Sequence, residues 1–219
     1  MNKRRVVITG VGAITPLGVG AEESWQALRQ GKSGIDKITS LDASSFETQI
    51  AAEVKNFHSE DFLDKKRIRR TDLFTQYAMA AAQMAIDDSR IIINGHNAYR
   101  IGVILGTCVG GIVTFGENIA ALLEGGPHNI SPFLAPMFIP NIGASEIAIT
   151  FGAKGPSRCI STACATGGHA IGDALRFIQR GEADVMIVGG SEAGIVPIFI
   201  GSLCKLKALS TRNDEPQKA

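Results

Sequence analysis

Aromatic side chains are scarce in this chain: one Trp, two Tyr and ten Phe make up only 6% of its 219 residues. With 45% apolar residues and 25 glycines, that scarcity fits close backbone packing in a compact α/β protein, not a long disordered one. Charge of one sign is not in excess either, since 22 basic residues face 21 acidic ones. That balance argues against a broad nucleic-acid or membrane-binding surface and leaves local clusters open. No stretch reaches the ~18 continuous apolar residues of a membrane span. The basic start Met1-Asn-Lys-Arg-Arg5 resembles a signal peptide, but Gly10, Gly12, Pro16 and Gly18 interrupt the apolar run such a peptide needs. Cysteines are few and have no Cys-x-x-Cys spacing: Cys108, Cys159, Cys164 and Cys204 lie in apolar or glycine-rich company. That pattern argues against a disulfide or zinc framework and for a reducing cytoplasm, with buried thiol the plain reading for three of the four.

Neither an internal repeat nor a low-complexity tail is present. Arg5 to Gly12 reads as a fully buried strand, and the turn Thr15-Pro16-Leu17-Gly18 leads into a helix from about Ala21 to Gln30. Gly10-Val-Gly12 is not a dinucleotide loop, because Thr15 stands where the third glycine belongs and Pro16 follows. From Thr71 to Asp88, residues Leu73, Phe74, Tyr77, Ala81, Met84 and Ala85 recur at helical spacing, predicting an amphipathic helix on a sheet. Arg100 to Gly106 is the next buried strand, followed by the glycine turn Thr107-Cys-Val-Gly-Gly111 and a helix from Ile112 to Leu123. Residues 127 to 140 carry four prolines with Phe133 and Phe138, an irregular apolar segment of the kind that lies under a partner. A helix over Asn141 to Phe151, a strand over Ser157 to Ala163, a helix over Gly167 to Arg180 and a strand over Asp184 to Ser191 predict a right-handed βαβ crossover. The last residues, Leu209 to Ala219, are polar and without pattern.

The stretch from Arg158 to Ala170 carries the chemistry. It places Cys164 where a strand hands over to a glycine-opened helix. Helix starts present unpaired backbone N–H groups and the positive end of the macrodipole, and both favour thiolate over thiol. A free cysteine titrates near ~8.5, and such placement lowers that to roughly 3.5 to 7.5. The same N–H groups can hold an oxyanion forming on an attacked thioester, so nucleophile and electrophilic clamp share one turn of chain. Acyl transfer is the expected reaction class. His169, five residues on, lies on a helical face that does not promise contact with the thiol, and reads as structural.

Five blocks in order resemble the β-ketoacyl-acyl-carrier-protein synthases, condensing enzymes of fatty-acid synthesis within the thiolase superfamily. They are Val6-Val-Ile-Thr-Gly-Val-Gly-Ala-Ile-Thr-Pro-Leu-Gly18, Gly152-Ala-Lys-Gly-Pro156, Ser161-Thr-Ala-Cys-Ala-Thr-Gly167, Ala183-Asp-Val-Met-Ile-Val-Gly-Gly-Ser-Glu192 and Ala208-Leu-Ser-Thr-Arg-Asn213. The resemblance spans nearly the whole chain. It implies an α/β protein with the thiolase-like layered αβαβα fold and a mixed, mostly parallel sheet, with residues 1 to 219 forming the N-terminal half of a duplicated architecture. In that family two histidines, a lysine and a phenylalanine loop of the second half work with the cysteine. None of His58, His96, His128 and His169 stands in those motifs.

The resemblance further implies a ping-pong reaction without metal or cofactor. Cys164 takes the acyl group, and malonyl-acyl-carrier protein then loses carbon dioxide to give the attacking carbanion. The expectation is that these 219 residues carry the nucleophile but do not run condensation alone. Val109, Phe133 and Leu203 match acyl-pocket positions, Phe133 also reaching across a homodimer interface. Lys66, Arg69 and Arg70, within the basic run Lys65-Lys-Arg-Ile-Arg-Arg70, match the docking positions for acyl carrier protein, with Lys207 a further candidate. Cys108 departs from an expected glycine, and Leu203 from an expected aromatic. Two rivals stand beside this reading: a non-catalytic remnant or partner subunit offering dimer and docking surface, and a polyketide-type ketosynthase. Chain-length-factor relatives replace the cysteine, so Cys164 speaks against the first. The Ala165-Thr-Gly-Gly168 run favours the fatty-acid branch over the second.

Overall fold

The structure, a computed structural model, describes residues 4–219, so Met1 to Lys3 of the basic start lie outside the described residues. In chain order the elements are β1 (Ile14–Thr15), β2 (Gly18–Val19), α1 (Ala21–Arg29), β3 (Asp36–Lys37), β4 (Ile50–Ala51), α2 (Lys65–Ile68), α3 (Leu73–Ser89) and β5 (Ile101–Gly106). They continue as α4 (Ile112–Gly125), α5 (Leu134–Phe138), α6 (Ile142–Phe151), β6 (Ser157–Ile160), α7 (Thr166–Gln179), β7 (Val185–Gly190) and α8 (Pro197–Lys205), with short 3₁₀ turns between. Two compact units divide them: one of residues up to Gly12 and Ser59–Ala193, the other of Ala13–His58 and Gly194–Ala219.

The first unit is built on a parallel sheet in the order β6-β5-β7. β5 is buried along its whole length, and its alternation decides which helix lies where. Ile101, Val103 and Leu105 face Phe74, Ala78 and Met79 of α3 and Ala144 and Ile147 of α6. Ile104 faces the other way, onto Ala170, Ala174 and Phe177 of α7. Asp72 ties two helix starts together: its carboxylate accepts from the Phe74 amide at 3.1 Å and from the Thr114 amide at 2.8 Å. An aspartate there caps α3 while satisfying an orphan donor of α4.

Two expectations about this unit fail. Arg5 to Gly12 is not a buried strand: it pairs with no strand among the described residues, and Val7, Ile8 and Val11 are exposed at 60%, 83% and 53%. Its glycines, by contrast, lie directly on α3. A Cβ on Gly10 would fall 2.1 Å from the Ala85 carbonyl, and one on Gly12 1.9 Å from that of Ala81. Nor is α3 a one-faced amphipathic helix. Its Ala81–Ala85 side is covered by this segment and its Phe74–Met79 side by the sheet and α6, so its first half is buried nearly all round.

In the second unit β1 and β2 pair antiparallel around the Pro16-Leu17 turn, as do β3 and β4. The Glu53 carboxylate gathers the Thr39 and Ser40 amides and the Thr39 hydroxyl. Burial works against its charge, but those hydrogen bonds outweigh it and hold the carboxyl below its ordinary range. The segment Leu209 to Ala219 is not patternless. Thr48 donates to the Ser210 carbonyl, Gln49 donates to the Asn213 side chain, and Asn213 returns a bond to the Glu47 carbonyl. Polar side chains replace apolar periodicity here, which is why the pattern was silent. Among the described residues no helix is long and apolar enough to cross a membrane.

Candidate active site

Glycines at the carboxyl ends of the parallel strands set the height at which α7 begins. A Cβ on Gly106, the last residue of β5, would sit 2.4 Å from Cγ2 and 3.0 Å from the carbonyl oxygen of Thr166. One on Gly190, ending β7, would sit 3.1 Å from the Gly167 Cα. Without those side chains the first turn of α7 rests directly on the sheet, with Thr166 buried beneath it. Small residues at this contact allow backbones to approach that larger ones would hold apart.

The turn that feeds the helix is shaped by Thr166. Its hydroxyl accepts from the Thr162 amide at 2.8 Å and donates to the Ala163 carbonyl at 2.6 Å. Ala163 is held at φ 51°, in the left-handed region. A non-glycine residue there stores about 1–3 kcal/mol of strain, which the surrounding bonds must hold. The predicted strand to Ala163 therefore ends earlier, at Ile160, and Ser161 to Ala165 form a turn that lifts Cys164 out of the sheet. Cys164 is exposed and unpaired. The Ala165 and Thr166 amides bond the Thr162 and Ala163 carbonyls, while the Cys164 amide is not the donor of any such bond among the described residues. The sulfur thus stands one residue before the helix cap, beside a backbone N–H that an oxyanion could use.

Two neighbours hold this turn and its surroundings, Glu192, which the sequence did not single out, and His169, which it read as structural. Glu192, just beyond β7, reaches back to the loop after β5: Oε1 takes the Thr107 hydroxyl at 3.2 Å, and Oε2 takes the Cys108 amide at 2.6 Å and the Val109 amide at 3.4 Å. It fixes the loop holding the candidate pocket residue Val109, itself partly buried. Burial pushes the Cys108 thiol up, and the charge of Glu192 and then Cys164 push it further. The only sequence signal for Glu192 was its place in a matching block. The second neighbour is His169, whose Nδ1 shares a 2.7 Å hydrogen bond with the Thr162 hydroxyl, so its ring is tied to the same turn.

The other candidate positions fall in three places. Phe133 caps α5 and lies under the Arg70 guanidinium, 4.7 Å from its ring centroid, so the structure brings a pocket candidate and a docking candidate together. Lys66 and Arg69 are exposed on α2 and at its end, and Arg69 donates to the Lys65 carbonyl. Arg67, in the same run, instead pairs with Glu146 at 3.6 Å and bonds Thr150. Leu203, on α8, and the exposed Lys207 after it belong to the second unit. α4 leaves Phe115, Ile119, Leu122 and Leu123 exposed, with Phe115 stacked on Phe138 of α5 at 4.7 Å.

Comparison with known proteins agrees with this architecture. The family "Beta-ketoacyl synthase, N-terminal domain" matches residues 3–219. A 3-oxoacyl-[acyl-carrier-protein] synthase 2 of Coxiella burnetii is 51% identical over all 219 residues, and one of Synechocystis is 46% identical over the same span. The chain covers 53% of each, so it spans about half the length of these relatives. Among solved structures, the ishigamide ketosynthase/chain length factor superposes with a TM-score of 0.87 at 31% identity, over 95% of this chain and 52% of that one. A beta-ketoacyl synthase from Burkholderia phymatum gives 0.85 at 29% identity, over 100% and 53%. A type II polyketide acyl-carrier protein in complex with its ketosynthase gives 0.82 at 27% identity, over 95% and 57%.

Proposed function

We propose, for a chain that belongs to the beta-ketoacyl synthase family through its N-terminal domain, that Cys164 accepts the acyl group in a 3-oxoacyl-acyl-carrier-protein synthase reaction. The observation that carries this reading is the exposed Cys164 on a turn locked by Thr166 above the carboxyl ends of the strands. The Cys164 sulfur attacks the carbonyl of an acyl-phosphopantetheine thioester. Its backbone N–H stabilises the tetrahedral oxyanion, and collapse expels the carrier thiolate, leaving the acyl group on Cys164. In the second half-reaction malonyl-carrier protein loses carbon dioxide, and its carbanion attacks that thioester to release the 3-oxoacyl product.

Carbanion formation needs hydrogen-bonding or positive groups beside the malonyl carbonyl. His169 is tied to Thr162, and none of the four histidines stands in the family's catalytic motifs. These residues therefore supply the acyl acceptor, and condensation awaits the histidine pair that the resemblance assigns to a second half. Exposed Lys66 and Arg69 suit an acidic carrier protein, and the apolar face of α4 suits a second copy of the chain. The reducing cytoplasm fits four unpaired thiols.

A second reading, a docking and dimer subunit without turnover, would use that same α4 face. Alkylation separates the two. Rapid, selective labelling of Cys164 by iodoacetamide or cerulenin supports the acyl acceptor, and slow labelling indistinguishable from that of Cys204 supports the subunit. Robust condensation by the purified 219-residue chain would contradict the division of labour proposed here.

A further inference from the structure

A second thiol stands at the rim that carries Cys164. β5 and β6 run parallel with Gly106 opposite Ile160, and paired chains lie ~4.8 Å apart. Beyond the strands the pairing continues: the Thr107 amide donates to the Ile160 carbonyl at 3.1 Å, and the Ser161 hydroxyl to the Cys108 carbonyl at 3.2 Å. That register carries Cys108 alongside Thr162. The chain then turns at Ala163, which is held in the left-handed region, and Cys164 follows directly. Both cysteines thus occupy the same end of one strand pair, Cys164 exposed and Cys108 partly buried. A disulfide spans Cα separations of ~4.4–6.8 Å, about the spacing between Cys108 and the neighbouring Thr162, which Cys164 follows by two residues. Glu192 fixes the Cys108 backbone through its amide. Cys108 also stands where the family resemblance leads one to expect glycine, so the paired thiol is a property of this chain.

We propose that Cys108 is a resolving thiol, closing an internal disulfide with Cys164 after peroxide oxidises the latter. In the first step the Cys164 thiolate attacks one oxygen of hydrogen peroxide. The O–O bond breaks, sulfur gives up two electrons, and Cys164 sulfenic acid and hydroxide result. In the second the Cys108 sulfur attacks the Cys164 sulfur, the S–O bond breaks, and the oxygen leaves as water with the Cys108 proton. The disulfide blocks acyl acceptance and spares Cys164 from sulfinic acid, and a dithiol reductant reopens the site. Cys164 is exposed and Cys108 partly buried, so peroxide reaches Cys164 first, and burial and the Glu192 charge push the Cys108 thiol up.

The proposal rests on Cys164 being the reactive thiol of the proposed function, and the test separates the two. The full chain is treated with hydrogen peroxide and analysed by intact mass and by peptide mapping without reduction. The expected result is a loss of two hydrogens, a peptide linking Cys108 to Cys164, and iodoacetamide labelling of Cys164 fully restored by dithiothreitol. C108S should instead gain oxygen on Cys164, trap with dimedone and progress to a form that dithiothreitol does not rescue. C108G, the residue expected there, provides the same readout should C108S fold poorly. Because Cys159 shares a tryptic peptide with Cys164, the link must persist in C159S. Wild-type protein that over-oxidises Cys164 as C108S does, or a link that vanishes in C159S, overturns the proposal while leaving acyl acceptance intact. A Cys164 that resists both iodoacetamide and peroxide in reduced protein removes both.

Discussion

Placing a methyl group on Gly106 tests whether close approach of α7 to the sheet sets up the site. In G106A the new Cβ meets Thr166 Cγ2 at 2.4 Å and the Thr166 carbonyl oxygen at 3.0 Å. Thr166 is buried and held by both its hydrogen bonds, so it cannot swing aside. The first turn of α7 must move instead. Overpacking of this kind costs about 1–3 kcal/mol, and each kcal/mol lowers the melting temperature of a domain this size by about 2–4 °C. Urea unfolding should show a lower midpoint at an unchanged slope, and iodoacetamide should label Cys164 more slowly as the turn distorts. T166S removes the clashing methyl but keeps the hydroxyl, so G106A/T166S should recover part of the loss, with a coupling of about 0.5–3 kcal/mol. The 3.0 Å contact with the backbone oxygen remains and limits the recovery. If G106A unfolds and alkylates as wild type does, and T166S shows no coupling, glycine at this strand end does not position the turn.

Further outcomes follow from the same geometry. A163G relieves the about 1–3 kcal/mol held at the left-handed alanine but adds about 0.4–1 kcal/mol of unfolded-chain entropy, so stability should rise by the difference, up to about 2 kcal/mol, while the loosened turn slows acylation or alkylation of Cys164; faster labelling would contradict the role given to the strain. D72A removes the α3 cap, worth about 1 kcal/mol, and leaves the Thr114 amide unpartnered at a further cost of about 1–3 kcal/mol, readable as a lower urea midpoint. Asp184, held by Arg100 and Arg4, has its carboxyl lowered from 3.8 to about 2. Because the folded value lies below the unfolded one, its contribution is present above about pH 4 and is lost as pH falls towards 2. The gap in unfolding midpoint between wild type and D184N at low salt should therefore close across that window. A gap unchanged in acid would show that the ion pair does not stabilise the fold, as solvent screening permits for exposed pairs.

Much of the site was legible because its signals are local. The apolar run of β5, the glycines around it and the cysteine before a small-residue helix all lie within a few residues of the features they specify. What local pattern missed depends on distant contacts. Val6-Val-Ile-Thr reads as a buried strand by propensity, but burial needs a pairing strand, and none pairs with it among the described residues. The Glu192 carboxylate meets an amide 84 residues earlier in the chain, and no periodicity announces such a bond. The turn at Ala163 was hidden because alanine gives no hint of a left-handed backbone, and Thr166, which enforces it, looks in sequence like any first-turn threonine. The polar stretch after Leu209 is ordered by Asn213 and Thr48, side chains that composition alone assigns to loops.

The most direct measurement is acyl transfer itself: incubate the purified chain with a long-chain acyl-carrier-protein thioester, then locate any acyl adduct by mass spectrometry. The account predicts a single acyl group on Cys164, labile to hydroxylamine and absent from C164S. No adduct, or one that persists in C164S on Cys108 or Cys204, would contradict it.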